Sequence, residues 1–129
     1  MPDVQVSPER FRELMLDEEP GLEDVMACVF GLQRHEVRTY LALLERPGST
    51  VEALAAALDR DRSNVNRSLT TLREKDLASR QRRLLDGGGH VYQYSATPLD
   101  EARDLMHETL DAWAEYVHER IDDFGEDDL

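Results

Sequence analysis

Apolar residues recur three or four positions apart through the first 75 residues, the spacing of one face of an α-helix. Proline, glycine and residues that favour helix caps interrupt this pattern at intervals. The pattern predicts five helices, over residues 8–19, 22–30, 33–45, 50–58 and 62–75. Ser49 and Thr50 are both suitable N-caps for the fourth helix, and Glu52 lies three residues after Ser49, as in a capping box.

The period changes from helical to alternating after residue 76. Residues 77–85 and 90–96 predict two strands, and the aspartate and three glycines between them predict a hairpin turn. The two helices before the hairpin are short and are joined by a tight polar turn at residues 59–61. This order predicts a mainly α protein with a small β-hairpin, a winged helix-turn-helix in which the hairpin is the wing.

A long final helix is predicted to begin at Pro98. Its apolar residues recur every seven positions, which is typical of a seam between two helices. The alternative is a helix that packs on its own domain, but about 27 residues span roughly 40 Å, more than a small domain can cover. We therefore expect a homodimer whose seam contains Leu99, Ala102, Met106, Leu110, Trp113, Tyr116 and Val117.

These patterns divide the chain into four parts. Residues 1–31 hold the N-terminal helices, and residues 32–97 form the winged helix-turn-helix domain. Residues 98–125 form the C-terminal dimerisation helix, and residues 126–129 are expected to be an acidic, frayed tail.

The predicted helix over residues 62–75, called the recognition helix below, has a polar face opposite its apolar one. Arginine can pair with guanine and asparagine with adenine, while hydroxyl groups bond to phosphate oxygens. A solvated polar face is the alternative interpretation, and the few acids here favour DNA. We predict DNA contacts from this helix and the wing, by Arg62, Ser63, Asn64, Asn66, Arg67, Thr70, Arg73, Arg80, Arg82, Arg83, His90 and Tyr92. Arg82 and Arg83 are consecutive on a strand, so they cannot both serve the same surface.

The charge of the chain is unevenly distributed. There are 28 acidic residues against 15 basic ones, and Lys75 is the single lysine. Such a surface is expected in a molar-salt cytoplasm, where a Debye length of about 3 Å limits self-repulsion. Residues 60–83 nevertheless carry a net charge of +5, which leaves −18 for the remainder. This basic island is the electrostatic footprint expected of a DNA-binding surface.

Four segments of the chain, residues 30–44, 61–69, 72–75 and 91–98, resemble the TrmB-type, MarR-like winged helix-turn-helix regulators of archaea. The resemblance implies a dimer whose recognition helix enters the major groove of DNA. Sugar-responsive members carry a large C-terminal ligand domain, and only one helix is predicted here after the wing, so we expect no small-molecule effector. The format is more similar to short haloarchaeal regulators, some of which respond to oxidants.

Cys28 is the one cysteine of the chain, and it lies outside the apolar stripe of its predicted helix. One interpretation is a small buried filler, the commonest role of cysteine. The other is an exposed thiol whose oxidation links two subunits through a disulfide and changes the affinity for DNA. Similarity to oxidant-responsive regulators of haloarchaea keeps this second interpretation open.

Several other classes of function find no support in the sequence. The four histidines are scattered and one cysteine cannot form a thiolate cluster, so we expect no enzyme, no metal and no cofactor. No stretch is apolar enough for a membrane span and the N-terminus lacks a signal-peptide layout, so a cytoplasmic protein is expected. The predicted function is a sequence-specific regulator of double-stranded DNA with a palindromic operator. The alternative is a winged helix that serves protein–protein contact in a transcription complex.

Overall fold

The computed structural model describes residues 20–128, so the helix predicted over residues 8–19 lies outside the described part. The elements follow the order α1 (Leu22–Phe30), α2 (Arg34–Glu45), α3 (Val51–Leu58), α4 (Arg62–Glu74), β1 (Ala78–Leu84), β2 (His90–Ala96), α5 (Leu99–Asp123) and a short 3-10 turn (Glu126–Asp128). The predicted fold class is confirmed: mainly α, with a two-stranded antiparallel wing and a long C-terminal helix.

Local hydrogen bonds and backbone angles explain where the helices begin and end. Gly31 stops α1 with a φ of 70°, a left-handed conformation that glycine adopts without a Cβ clash. The Asp61 carboxylate accepts a hydrogen bond of 2.8 Å from the Asn64 N–H and so caps α4. Helices α1 to α4 begin and end within one residue of their predicted bounds.

The predicted capping box at the start of α3 is wrong. Thr50 is the N-cap, and its Oγ1 accepts a hydrogen bond of 3.1 Å from the Ala53 N–H. The Ser49 hydroxyl instead donates to the Arg46 carbonyl at 2.6 Å. Ser49 is also engaged through its backbone, which pairs with Tyr94 of β2. This pairing fixes Ser49 one residue too early to cap the helix.

The wing is an antiparallel hairpin with an added contact at its base. Its register pairs Arg80 with Tyr94 and Arg82 with Tyr92. At the tip, the Leu85 N–H donates to the Gly89 carbonyl at 3.1 Å and closes the turn. At the base, the Ser49–Tyr94 pairing ties β2 to the residues just before α3. The wing is therefore held at a defined position beside the helices.

One hydrophobic core joins the helices to the base of the wing. Val65, Leu69 and Leu72 of α4 are fully buried in it. Truncating a leucine in such a site to alanine costs about 2–5 kcal/mol of stability. Tyr40 is also buried, which raises the pKa of its hydroxyl. That hydroxyl donates to the Thr97 carbonyl at 2.7 Å, so α2 holds the junction between β2 and α5.

The first half of α5 packs against α1 within the same chain. Ala102 and Met106 are buried in the same core cluster as Met26 of α1. We placed both residues on the dimer seam, and that prediction needs correction because α1 already covers them. The seven-residue pattern reports burial of this face and does not distinguish an intrachain partner from a second subunit. None of the helices within residues 20–128 is both long and apolar enough to cross a membrane.

The end of the described chain has more order than we expected. Glu126–Asp128 form a 3-10 turn where a frayed tail was predicted. The Gly125 N–H donates to Asp128 Oδ2 at 2.7 Å, which closes the turn.

Candidate nucleic-acid interface

The outer face of α4 is polar and solvent-exposed. Ser63, Asn66, Arg67 and Thr70 are exposed, opposite the face that α4 buries in the core. The Thr70 hydroxyl donates to the Asn66 carbonyl at 3.0 Å and keeps lone pairs free toward solvent. The helical periodicity in the sequence predicted this division of α4 into two faces.

A chain of hydrogen bonds runs along the first turn of α4 and ends at Arg67. Asn64 Nδ2 donates to Asp61 Oδ2 at 3.1 Å, and Arg67 Nη2 donates to Asn64 Oδ1 at 2.6 Å. Each polar atom of the Asn64 amide thus makes one hydrogen bond within the protein, although we predicted this residue as a DNA contact. In this structure Asn64 positions Arg67, and the guanidinium of Arg67 is the exposed end of the chain.

An arginine on the wing is held between two tyrosines. The Arg80 guanidinium lies 3.9 Å from the centroid of the Tyr92 ring, and its Nη1 donates to the Tyr94 hydroxyl at 3.4 Å. This hydrogen bond raises the pKa of Arg80, which stays charged in any case. His90 meets the Tyr92 ring edge-on with centroids 5.3 Å apart. Tyr92 therefore supports Arg80 with its ring, and Tyr94, which sequence reasoning missed, contributes its hydroxyl.

Some of these side chains line a groove of about 770 Å³ between the wing and the N-terminal ends of α3 and α4, whereas Asn64, Arg67 and Thr70 lie outside it. The groove brings together residues from four elements and is lined by Thr50, Val51, Glu52, Arg62, Ser63, Asn66, Arg80, His90, Val91, Tyr92 and Tyr94. Six of the predicted DNA contacts are among them. Thr50 and Glu52 were missed as lining residues because only the tertiary arrangement of α3 brings them here.

Arg62 meets an acidic partner at the edge of the groove. Its Nη1 lies 3.4 Å from Glu52 Oε1, and both side chains are more than two-thirds exposed. A pair this exposed contributes little to stability and separates readily. Arg62 therefore remains available to a stronger anion.

The remaining predicted contacts do not line the groove. The strand register puts Arg82 on the same wing face as Arg80 and puts Arg83 on the opposite face, across from Val91. Both arginines are exposed. Arg73 is half-buried near the C-terminal end of α4, away from the groove. Only part of the basic island thus faces a single surface.

The Cys28 thiol does not line the groove, and the described residues contain no metal-binding cluster. Cys28 is exposed on α1, so the buried-filler interpretation does not describe it in this structure. Among residues 20–128, no group of histidine, cysteine and acidic side chains is placed to hold a metal ion.

Comparison with known proteins shows the family and the fold of the chain. The model of the family described as the sugar-specific transcriptional regulator TrmB matches residues 26–100. An uncharacterized protein of Methanocaldococcus jannaschii, MJ1082, is 36% identical over 105 residues, which cover 81% of this chain and 87% of that protein. The chain also resembles the structure of a possible transcriptional regulator from Methanosarcina mazei, with a TM-score of 0.70 and 28% identity over 81% of this chain and 89% of that one.

A more distant likeness extends to a larger archaeal protein. The structure of TrmBL2, described as an archaeal chromatin protein with a novel mode of DNA binding, has a TM-score of 0.56 and 22% identity. The match covers 90% of this chain and 36% of that one, and it shows a shared fold. The family of the chain follows from two findings. The family model matches more than half of the chain, and MJ1082 is a relative with 36% identity. The chain belongs to the TrmB family of winged-helix transcriptional regulators.

Proposed function

We propose that this protein is a sequence-specific transcription regulator that inserts α4 into the major groove of double-stranded DNA. One observation carries the proposal: residues at the N-terminal end of the exposed polar face of α4 and Arg80 of the wing line a single groove, and Arg67 is exposed on the same face of α4. The chain as a whole has a net charge of −13, so a cationic surface at this one place is not a general property of the protein.

The residues of this surface divide into two roles. Arg67 and Asn66, exposed on the outer face of α4, have the donors and acceptors that read base edges. Arg80, braced by Tyr92 and Tyr94, presents a fixed charge that suits a backbone phosphate. Phosphate contacts by the wing would set the register in which α4 reads the bases.

We further propose that the protein works in a high-salt cytoplasm. Support comes from the excess of acids and from the single lysine. In molar salt, counterion release and long-range steering are both weak. Binding must then depend on hydrogen bonds and shape, which agrees with the preset geometry of Arg67 and Arg80.

A homodimer and a palindromic operator complete the proposed function. The second half of α5 exposes a stripe of large apolar side chains, among them Trp113 and Tyr116 at 43% and 60% exposure. A second copy of α5 is the occupant that fits a helix of seven-residue periodicity. Such a dimer would present two copies of α4 to two half-sites related by symmetry.

The alternative is a winged helix that contacts another protein, and it predicts a different outer face of α4. Its outer face would need an apolar centre, because the buried centres of protein interfaces are depleted in charge. Ser63, Asn66, Arg67 and Thr70 occupy that face instead. The polar face therefore favours DNA.

Selection from a pool of randomised duplexes in molar potassium chloride tests the proposed function. We expect the wild-type protein to enrich a common motif with two-fold symmetry, because two α4 helices would read related half-sites. Enrichment of an asymmetric motif would retain specific binding and contradict the symmetric dimer. Failure to enrich any duplex at any salt concentration would contradict the proposed function itself.

We also propose Cys28 as a redox input. The thiol is exposed on α1, and this helix packs on α5, the element that carries the proposed seam. Two Cys28 thiols and one hydrogen peroxide would yield one disulfide and two water molecules, through a sulfenic acid on one thiol. The step requires the two Cα atoms to approach within about 7 Å.

Non-reducing electrophoresis after peroxide treatment measures this step. We expect a band at twice the mass of 14.8 kDa that disappears on reduction and is absent from Cys28→Ser. Binding to the selected duplex should change with oxidation in the wild type only. A peroxide response that survives in Cys28→Ser, or no covalent dimer in the wild type, would contradict the proposal.

A further inference from the structure

The tip of the wing is apolar, although the surface around it is charged. Leu84 at the end of β1 is 72% exposed, and the next residue, Leu85, is 45% exposed. Neither belongs to the hydrophobic cluster of the described residues. The two leucines therefore make the far end of the hairpin apolar. This pair of residues is called the wing tip below.

The backbone of the wing tip is well defined. The Leu85 N–H donates to the Gly89 carbonyl, and the Gly88 N–H donates to the Leu85 carbonyl, both at 3.1 Å. Gly88 and Gly89 have φ angles of 94° and 79°, which strongly favour glycine. The glycines fix the turn and add no side chain beside the leucines, so the end of the hairpin is narrow.

The position of the wing tip relates it to the candidate interface. Leu84 lies on the same strand face as Arg80 and Arg82, opposite His90 of β2. Arg80 and His90 line the groove beside α4, so Leu84 continues that surface outward. At about 3.3 Å per residue, Leu84 lies roughly 13 Å beyond Arg80 along the strand. Arg80 is proposed to hold a backbone phosphate, and the phosphate backbone borders the minor groove, so the end of a hairpin anchored at Arg80 lies close enough to enter that groove.

We propose that the wing tip is a minor-groove wedge that opens a base step and bends the DNA. This inference rests on the proposed function and adds to it a residue pair that no hydrogen-bonding argument would select. Apolar side chains inserted between base steps unstack them and kink the duplex away from the protein's wedge. Pyrimidine–purine steps deform most easily, so the wedge would add specificity at a position where no base edge is read.

The charge beside the wing tip favours an anionic occupant, and the continuity of the wing tip with the groove beside α4 favours DNA. Arg82 and Arg83 immediately precede Leu84 and are exposed on opposite faces of the strand. An apolar insertion site beside backbone phosphates matches two leucines that directly follow two arginines. An apolar protein surface would match the leucines and leave both arginines without partners. An anionic membrane would match both features, and the experiment below includes it.

The test compares Leu84→Ser/Leu85→Ser with Leu84→Met/Leu85→Met, which keeps the apolar bulk at the same positions. The probe is a duplex of about 30 base pairs selected by the wild-type protein, labelled at its ends for energy transfer and carrying 2-aminopurine at successive steps. We expect the wild type and the methionine variant to bend the duplex by at least about 20° and to raise the fluorescence of one 2-aminopurine position. We expect the serine variant to lose both signals and to bind about tenfold or more weakly.

The outcomes separate this inference from the proposed function. If the wild type binds the selected duplex without bending or unstacking it, the wedge is refuted and the DNA-binding function stands. Equal bending and affinity in the serine variant refutes it as well. If no duplex is selected at all, the function fails and the wedge fails with it. Binding of phosphatidylglycerol vesicles that the serine substitutions abolish, with DNA bending unaffected, would assign the wing tip to a membrane instead.

Discussion

Replacing Arg67 with alanine is expected to weaken binding to a selected duplex roughly five- to 150-fold, which corresponds to the loss of one bidentate base contact of about 1–3 kcal/mol. Arg67 is exposed on the outer face of α4, and the Asp61–Asn64–Arg67 chain of hydrogen bonds orients its guanidinium. Its side chain buries nothing in the core, so the thermal unfolding of the free protein should be nearly unchanged. Titration of the duplex in molar potassium chloride measures the affinity.

Two further variants determine what Arg67 recognises. Arg67→Lys keeps the charge but loses the planar fork, so a base-reading role predicts a loss close to that of alanine and relaxed specificity at one position. A phosphate contact predicts that lysine largely restores binding. Arg34→Ala is the matched control, because it removes the same charge from an exposed site at the start of α2, which is paired with Glu23 of α1 and does not line the groove. If Arg67→Ala and Arg34→Ala weaken binding equally, Arg67 is not a reading residue.

Helix boundaries in this chain are determined by residues close in sequence, and these were predicted well. The bounds of α1 follow from an apolar stripe and from Gly31, whose effect needs no distant contact. The start of α3 is different, because Ser49 and Thr50 are equivalent as local caps. The choice between them depends on the pairing of Ser49 with Tyr94, which is 45 residues away in the chain. Local sequence carries no signal for that contact.

The candidate site shows the same limit for side chains. Alternation along a strand predicted that Arg82 and Arg83 face opposite ways, and the register agrees. The pattern contains nothing about the partner that each polar side chain selects. The Asn64 side chain is hydrogen-bonded to Asp61 and Arg67, and the Arg80 guanidinium lies over the ring of Tyr92. Residue type thus predicted a candidate surface, whereas the contacts of each side chain within it depend on hydrogen bonds and stacking.

The final helix contains the clearest case of one pattern with two causes. At about 100° per residue, Ala102, Met106, Leu110 and Trp113 fall on one stripe. The first two are buried against the chain's own α1, and the last two are exposed. Periodicity gives the apolar face of α5. It does not show how much of that face α1 covers. The dimer prediction therefore rests on the second half of α5.

Trp113→Glu is expected to convert a dimer into a monomer and to weaken operator binding about 100-fold or more. The substitution inserts a carboxylate into the middle of the exposed apolar stripe, where its copy in the second subunit would carry the same charge. Separate monomers lose the advantage of binding two linked half-sites, which is worth roughly 10²–10⁴ in affinity. Light scattering should report 14.8 kDa for the variant and twice that mass for the wild type.

The matched control for this prediction adds the same charge elsewhere on the helix. His118 is exposed and lies on the opposite side of α5 from the apolar stripe, so His118→Glu should remain a dimer and bind the operator as the wild type does. Binding of a duplex that contains a single half-site should be equal for Trp113→Glu and the wild type, because the face of α4 that would read it is untouched. A wild-type mass of 14.8 kDa at every concentration would overturn the seam. Loss of single half-site binding in Trp113→Glu would show that the substitution damages the domain and not merely its pairing.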